Sequence, residues 1–224
     1  GYYYQFAFEW SEEERREKML KGDYHLTEKE PMWDAADATR FGKDIFWKHS
    51  CVSNWAGIEW ISRYLKQKGF RVHPVDFDST KANYWRPWHI DVVIVPVRPG
   101  LVMFCPDKEP LTPGIVDLFK KNDWEIVMAA RPTYSWNNDL TMSAPYHGKG
   151  IHRPNWIGMN TLSLSPKQIC VFDQEKDYQE QLNKLGFEVI PVAYDKVYKF
   201  GGMLHCNTLD IYREGECKDY FPNQ

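Results

Sequence analysis

The sequence predicts an α/β fold assembled from three copies of one unit, in the order strand, helix, strand, strand. The first observation is a recurring junction: an amphipathic helix ends in a Lys-containing turn, followed by a large aromatic residue and a β-branched strand. The second is spacing, because Phe70, Trp124 and Phe187 mark the junctions 54 and 63 residues apart. One unit cannot bury both faces of its sheet, so we expect the copies to pack around a common axis, helices outside and strands inside.

Each unit has the same elements in the same order. A short apolar run indicates the first strand, in Ile45 to Trp47, Leu101 to Phe104 and Ile169 to Phe172. The helices follow, each closed by a Gly or Asn suited to a C-terminal cap, in Asn54 to Gln67, Pro113 to Lys121 and Glu175 to Leu185. Beyond each junction a further strand is predicted, in Ile90 to Val95, Thr161 to Leu164 and Thr208 to Tyr212. We expect one domain over 1–224, with repeats at about 44–97, 100–165 and 168–215.

Composition excludes several classes of protein. The 224 residues are 43% hydrophobic, with 28 basic and 31 acidic side chains and a net charge of -3, which offers no basic field for nucleic acid. No apolar run reaches the ~20 residues that cross a bilayer, and the first ten residues lack the features of a signal peptide. We therefore expect a cytoplasmic protein that binds neither membrane nor nucleic acid. The five cysteines form no CxxC pair, so neither a disulfide framework nor a zinc site is indicated, and at least one thiol is free.

Two residues with catalytic chemistry occupy matching places in the repeat. His89 stands at the entry to the last strand of the first unit, and Cys206 stands at the same entry in the third. If the units surround an axis, both point toward it, and a histidine facing a cysteine can act as its general acid and base. A structural cysteine is the alternative. Asp34 and Asp37 precede the first strand, either as the cap of a helix or as carboxylates that hold a cation.

Several runs together resemble the arginine:glycine amidinotransferases of the pentein, or guanidino-group-modifying, superfamily. They are EPMWDAADATRFGKDIF (30–46), NWAGIEW (54–60), WHID (88–91), DLFKKNDW (117–124) and GGMLHCNTLDIYREG (201–215). The resemblance implies a five-bladed α/β propeller, of which three repeats are visible, so that the N-terminal repeats are expected to be missing from the chain or supplied by a partner. It implies no cofactor and no metal.

The resemblance also implies roles for individual residues. Cys206 matches the nucleophile that takes the amidino group from L-arginine, His89 matches the general acid and base, and Asp34 matches the first acid of the DAAD motif, which holds the guanidinium together with Asp91. Asp91 matches the acid that holds the guanidinium. The glycines at 201 and 202 would let the loop carry Cys206 to the axis. Nearby carboxylates would keep the thiol of an empty site protonated, and a bound guanidinium would favour the thiolate.

Three departures from the family pattern concern the amine acceptor. Arg86 and Trp88 flank the proline before the histidine, Lys108 stands where the family has an arginine, and Ser143 is followed by alanine where the family has a second serine. Lysine is a point charge and cannot fork around a carboxylate, so glycine is not the expected acceptor. We expect a larger amine, such as a precursor of a saxitoxin-type or cylindrospermopsin-type guanidinium toxin. The predicted substrate-binding residues are Asp91, Arg86, Trp88, Lys108, Ser143 and Asn160.

The segment Pro145 to Asn155 resembles an insertion after that serine. It is predicted to be a loop, either a lid over the acceptor pocket or a solvated surface loop. His147 and His152 within it could be metal ligands, but no third ligand has suitable spacing.

Two other functions stay open at this point. A hydrolase of the same superfamily, such as an arginine deiminase, would use water in place of the amine. A non-catalytic binding module derived from the family would need no intact set of Cys206, His89, Asp34 and Asp91. The expected partners are small-molecule substrates, with a homodimer as the expected assembly.

Overall fold

The computed structural model describes residues 26–50, 52–77, 89–107, 112–134, 155–197 and 202–224, together with 11, 13, 14 and 17. Within these ranges the chain forms nine strands in three sheets and three α-helices. The first sheet region contains β1 (Ala38–Phe41), β2 (Asp44–Lys48), α1 (Trp55–Gln67) and β3 (Arg71–Val75). The second contains β4 (Ile94–Arg98), β5 (Leu101–Phe104), α2 (Ile115–Lys121) and β6 (Glu125–Met128). The third contains β7 (Leu162–Ser165), β8 (Gln168–Phe172), α3 (Lys176–Lys184) and β9 (Glu188–Val192).

All three sheets share one topology. The first two strands form an antiparallel hairpin, the helix crosses over, and the third strand pairs parallel to the middle one. A parallel partner requires such a crossover connection. The α/β class and the threefold repetition predicted from the sequence are confirmed.

The helices begin and end close to the predicted residues because local chemistry fixes their ends. The side chain of Asn54 accepts a hydrogen bond from the Gly57 amide at 2.8 Å and so caps α1. Gly69 and Gly186 follow α1 and α3 with φ of 82° and 85°, the left-handed conformation that ends a helix. After α2 that conformation falls on Asp123 (φ 59°), one residue beyond the cap Asn122.

The strands group differently from the predicted units. The strand expected at the end of the first unit begins only at Ile94, after a 3-10 helix at Ile90–Val92, and pairs with β5 in the second sheet. The strand expected at Thr208 to Tyr212 is absent: these residues have no ladder partner, and Leu209, Ile211 and Tyr212 are exposed. Their alternating apolar pattern is typical of a strand, but a strand forms only where a neighbour satisfies its backbone groups.

A 3-10 helix precedes the first strand of every sheet, at Ala35–Asp37, Ile90–Val92 and Asn155–Met159. The first strands contact in series, β1 against β4 and β4 against β7, and the 3-10 helices also contact one another in that order. The same point of each repeat is therefore brought to one place.

The main core is aromatic and includes the C-terminal segment. Phe221 is fully buried, and its ring lies 5.2 Å from that of Phe119 and 5.5 Å from that of Trp124. A reciprocal pair of hydrogen bonds between Asn122 and Asn223 ties the end of the chain to α2. The C-terminal segment thus packs against the first and second sheets.

Several predictions fall on residues outside the described ranges: Arg86, Trp88, Lys108, Ser143, most of the 145–155 insertion with His147 and His152, and Gly201. In the ranges that are described, no helix combines the length and the apolar character needed to span a bilayer.

Candidate active site

The polar cluster lies where the 3-10 helices meet the turn at 204–207. The first 3-10 helix is capped by Asp34, the second is preceded by His89 and contains Asp91, and the third is followed at once by Asn160. The turn supplies Cys206. Three segments at equivalent points of the repeat, together with this turn, therefore contribute the polar side chains.

Asn160 holds the cysteine from two sides. Its side-chain oxygen accepts a hydrogen bond from the Cys206 amide at 2.9 Å, and its Nδ2 lies 3.1 Å from the Cys206 sulfur. The same Nδ2 donates to Asp91 Oδ2 at 2.7 Å. Asn160 is buried, so this bracket is fixed by the fold. The residue Cys206 as a whole is exposed.

The two oxygens of Asp91 have unequal surroundings. Oδ2 receives Asn160 Nδ2, His205 Nδ1 at 2.9 Å and the Cys206 sulfur at 3.4 Å. Oδ1 is buried and has no hydrogen-bond partner among the described residues. A buried carboxylate oxygen without a donor is uncommon in a folded protein, and Asp37 Oδ1 is a second such oxygen in this region.

A second pair lies beside this cluster. His89 Nε2 is 3.9 Å from Asp34 Oδ2, while Asp34 Oδ1 accepts the Ala36 amide at 2.9 Å. The expected cap is confirmed, because one oxygen of Asp34 caps the 3-10 helix, and the other oxygen faces the imidazole of His89. Within the described residues no hydrogen bond joins His89 to Cys206, so the predicted catalytic residues form two adjoining groups.

A buried acid supports the first 3-10 helix from behind. Asp37 is fully buried, and its Oδ2 accepts the hydroxyls of Ser50 and Ser53 at 2.5 and 2.7 Å. Burial raises the pKa of this carboxyl above its usual value, although Lys48, the two hydroxyls and His89 act in the opposite direction. Ser53 also accepts from the Asp34 amide, which fixes the residue that faces His89.

Glycine at 202 is required by the position of the cysteine. Gly202 has a φ of 72°, and a Cβ built there would lie 2.5 Å from Cys206 Cβ and 3.2 Å from its sulfur. No side chain fits at that distance. The contact explains why a glycine stands at 202, and the predicted path of the loop to a central axis stays a prediction.

Electrostatics hold the cysteine as a thiol. Burial of the sulfur and the charge of Asp91 raise the pKa of Cys206 to about 11, against opposing hydrogen bonds from Met203 and Asn160. The predicted effect of a nearby carboxylate on the empty site thus has the expected sign. His205 is affected in the complementary way, because its hydrogen bond to Asp91 raises the pKa of the imidazole above its usual value.

Sequence reasoning placed five residues that the structure describes, Asp34, His89, Asp91, Asn160 and Cys206, and all five lie in this region. It assigned no role to His205, which contacts Asp91 directly. The available signal was the position of His205 next to Cys206 in the same short run. That signal is weak, because adjacent residues of a turn do not as a rule face the same way.

The arrangement suits chemistry on a planar cation. A carboxylate can bind a guanidinium through charge-assisted hydrogen bonds, and a sulfur beside that carboxylate can attack the guanidinium carbon. The imidazole paired with Asp34 can transfer a proton to or from the reacting nitrogen.

Comparison with known proteins identifies relatives across most of the chain. No family model matches the chain. A glycine amidinotransferase, mitochondrial, of Xenopus tropicalis is 36% identical over 209 residues, which is 93% of this chain and 45% of that protein. An L-arginine:L-lysine amidinotransferase of Pseudomonas savastanoi pv. phaseolicola is 32% identical over 216 residues, or 96% of this chain and 53% of that protein. The chain spans about half the length of the curated relatives it matches.

A solved structure shares both sequence and fold. SxtG, described as an amidinotransferase from Microseira wollei in the saxitoxin biosynthetic pathway, superposes with a TM-score of 0.75 and 30% identity. The match covers 90% of this chain and 54% of that one.

Proposed function

We propose, from the premise that this chain belongs to the amidinotransferase family, that it moves the amidino group of L-arginine to an amine acceptor through a covalent amidino-cysteine. The observation that carries the proposal is the contact of Cys206 with a carboxylate whose Oδ1 lacks a donor. A guanidinium that donates to the carboxylate of Asp91 would place its carbon beside the sulfur.

The donor half of the reaction uses the two groups together. The guanidinium neutralises the field of Asp91 and so favours the thiolate of Cys206, whose pKa is about 11 in the empty site. The proton of the Cys206 thiol passes to His89, and a bond then forms from the sulfur to the guanidinium carbon and gives a tetrahedral adduct. The bond from that carbon to the ornithine nitrogen then breaks, and His89, paired with Asp34, supplies the proton that the departing amine takes up.

The acceptor half reverses these steps. His89 removes a proton from the incoming amine, which attacks the amidino carbon, and the sulfur leaves as the thiolate. Asn160 keeps the sulfur in place through both halves, since it holds the backbone and the side chain of Cys206. Acid and base roles alternate on one imidazole, so the site needs no second titrating group.

The proposed acceptor is an amine larger than glycine, a class that includes the precursors of guanidinium natural products. The support is the set of departures at Arg86, Trp88, Lys108 and Ser143, which lie outside the described residues. The names of the relatives show that acceptors differ within this family, glycine in one and lysine in another. A propeller arrangement is proposed on the same premise, supported by the serial contacts of β1, β4 and β7.

The test is mass spectrometry of the chain after incubation with L-arginine. An added amidino mass on the peptide that contains Cys206, with release of ornithine, is the expected result. Cys206→Ala should show neither, and Cys217→Ala, which changes an exposed cysteine outside the cluster, should behave as the parent. Citrulline formed without any added amine would instead identify a hydrolase. Acceptors are then compared by adding each amine to the amidino-labelled protein and measuring the loss of the label. Glycine is expected to remove the label more slowly than larger amines do.

A further inference from the structure

We propose that His205 is a positioning residue of this site, whose imidazole holds Oδ2 of Asp91 so that the carboxylate keeps a fixed rotation beside Cys206 and its charge on Cys206 is partly offset. The inference rests on the proposed function for the identity of the ligand. It assigns no bond-making step to His205.

The geometry separates the two oxygens of one carboxylate. His205 Nδ1 and Asn160 Nδ2 both donate to Oδ2, at 2.9 and 2.7 Å, while Oδ1 is buried without a donor. Two donors on one oxygen fix the rotation of the carboxylate about its Cβ–Cγ bond. Without His205, Oδ2 keeps the hydrogen bond from Asn160, which also lies 3.1 Å from the Cys206 sulfur, and the longer contact with that sulfur at 3.4 Å.

The position of His205 suits this role better than a role in proton transfer. Its side chain is 56% exposed, whereas that of Asp91 is 9% exposed, so the imidazole covers the carboxylate from the solvent side. The Nδ1 atom of His205 is already hydrogen-bonded to Asp91 Oδ2. The adjacent turn is held by backbone hydrogen bonds, including Asn207 to Met203 and Thr208 to His205, which keep the imidazole over Asp91.

The charge of His205 depends on the groups that face it. These are Asp91 from the second 3-10 helix, and Asp210 and Arg213 from the segment after the turn, with Asp91 and Asp210 favouring the imidazolium and Arg213 opposing it. Cys206 lies on the same carboxylate oxygen. Both groups lie against the same carboxylate oxygen, so the positive imidazolium stabilises the negative thiolate. Protonation of His205 therefore lowers the pKa of Cys206, and loss of that proton raises it.

The experiment follows alkylation of Cys206 by iodoacetamide against pH, with peptide mass spectrometry to separate it from the other cysteines. The logarithm of the rate should rise with pH, flatten in an inflection above pH ~6.5 where His205 titrates, and rise again. His205→Ala and His205→Asn should both lose the inflection and react about threefold to tenfold more slowly below it, since a tenfold change corresponds to one pKa unit. The inflection should persist in His89→Asn and in Leu209→Ala, an exposed neighbour on the same segment.

Protection of Cys206 by L-arginine provides the second measurement. His205→Ala should need about tenfold more arginine for half protection, and His205→Asn should restore part of that loss, because an asparagine amide can donate from near the Nδ1 position. A His205→Ala protein that keeps both the inflection and the affinity overturns the proposal. The pH profile is measured without L-arginine or an amine substrate. A parent protein that transfers no amidino group would therefore contradict the proposed function, and the presence or absence of the inflection would still decide the role of His205.

Discussion

Two buried aspartates, Asp44 and Asp91, differ in how completely their oxygens are bonded. Asp44, in β2, is fully buried, and Arg71 donates to both of its oxygens at 2.8 and 2.6 Å while His73 contacts one of them at 2.7 Å. Asp91 has three contacts on one oxygen and none on the other within the described residues. The carboxylate of Asp44 is hydrogen-bonded at both oxygens, whereas Asp91 keeps one oxygen without a donor beside the thiol of Cys206.

The two carboxylates also differ in what surrounds them. Asp44 belongs to the region where the C-terminal segment packs, since Arg71 also donates to Asp219 and its Nη2 reaches the carbonyl of Phe221. Burial alone would raise the pKa of Asp44, but the hydrogen bonds from Arg71 and His73 outweigh it and hold the pKa below its usual value. Asp91 instead raises the pKa of its neighbour Cys206. The first region contributes stability and the second contributes reactivity.

The largest expected effect on stability comes from removing Arg71, the main hydrogen-bond donor to both oxygens of Asp44. Arg71→Met leaves the charge of Asp44 buried with His73 as its remaining side-chain partner; because Arg71 itself is 34% exposed, the cost should lie below that of a fully buried pair, at about 2–3 kcal/mol. Chemical denaturation should show that loss in the free energy of unfolding. Arg63→Met is the matched control, because Arg63 pairs with Glu59 on the exposed face of α1 and should change stability by less than about 0.5 kcal/mol. A small effect of Arg71→Met would remove the contrast drawn between the two aspartates.

At the open carboxylate, Asp91→Asn should have effects of opposite sign on two measurements. Loss of the charge-assisted hydrogen bond should weaken arginine binding about 10- to 100-fold, from a contribution of about 1.5–3 kcal/mol. The pKa of Cys206 should fall from about 11, because burial remains but the carboxylate charge is gone. Alkylation of the empty site at neutral pH should therefore become faster. Slower alkylation in this variant would contradict the assignment of Asp91 as the group that keeps the thiol protonated.

The sequence predicted the regular parts of the fold well because they depend on local patterns. Helix α1 was predicted to begin at Asn54, and the structure has it at Trp55–Gln67 with Asn54 as its cap. The strand predicted at Thr208 to Tyr212 is wrong, since strand formation depends on a neighbour that a local pattern cannot reveal. Pairing of the last predicted strand of a unit with the next sheet was missed for the same reason.

The site was predicted where repetition supplied a constraint. Matching places in the repeat indicated His89 and Cys206, and the resemblance to a family added Asp34, Asp91 and Asn160. His205 was missed because its role depends on one contact at 2.9 Å, across 114 residues of chain. Such a contact leaves no periodic signal in the sequence.

Substitution of Gly202 tests whether the cysteine owes its position to the absence of a side chain. Gly202→Ala adds a Cβ 2.5 Å from Cys206 Cβ at a left-handed φ, so the turn must move. Gly186→Ala is the matched control, with a similar φ of 85° but nothing within 4 Å of the added atom. Both should lose about 1 kcal/mol of stability from the backbone conformation. Only Gly202→Ala should also alter the alkylation rate of Cys206, and equal rates in the two variants would contradict the steric argument.

The smallest expected effect separates the two acids that share Arg71. Asp219 is bound by the same guanidinium as Asp44, but its side chain is 33% exposed and that of Asp44 is fully buried. An accessible ion pair contributes about 0–1 kcal/mol, so Asp219→Asn should lower the free energy of unfolding by no more than that. Asp44→Asn leaves the guanidinium facing a neutral amide in a buried setting, and it should cost more than Asp219→Asn at pH 7.

Since the pKa of Asp44 is lowered in the folded protein, its contribution should be fully present above pH 3.8 and should be lost as the pH falls further. Denaturation curves of the two variants at pH 7 and in acid should therefore differ at pH 7 and converge in acid, whereas equal losses at pH 7 would show that burial does not decide the strength of these pairs.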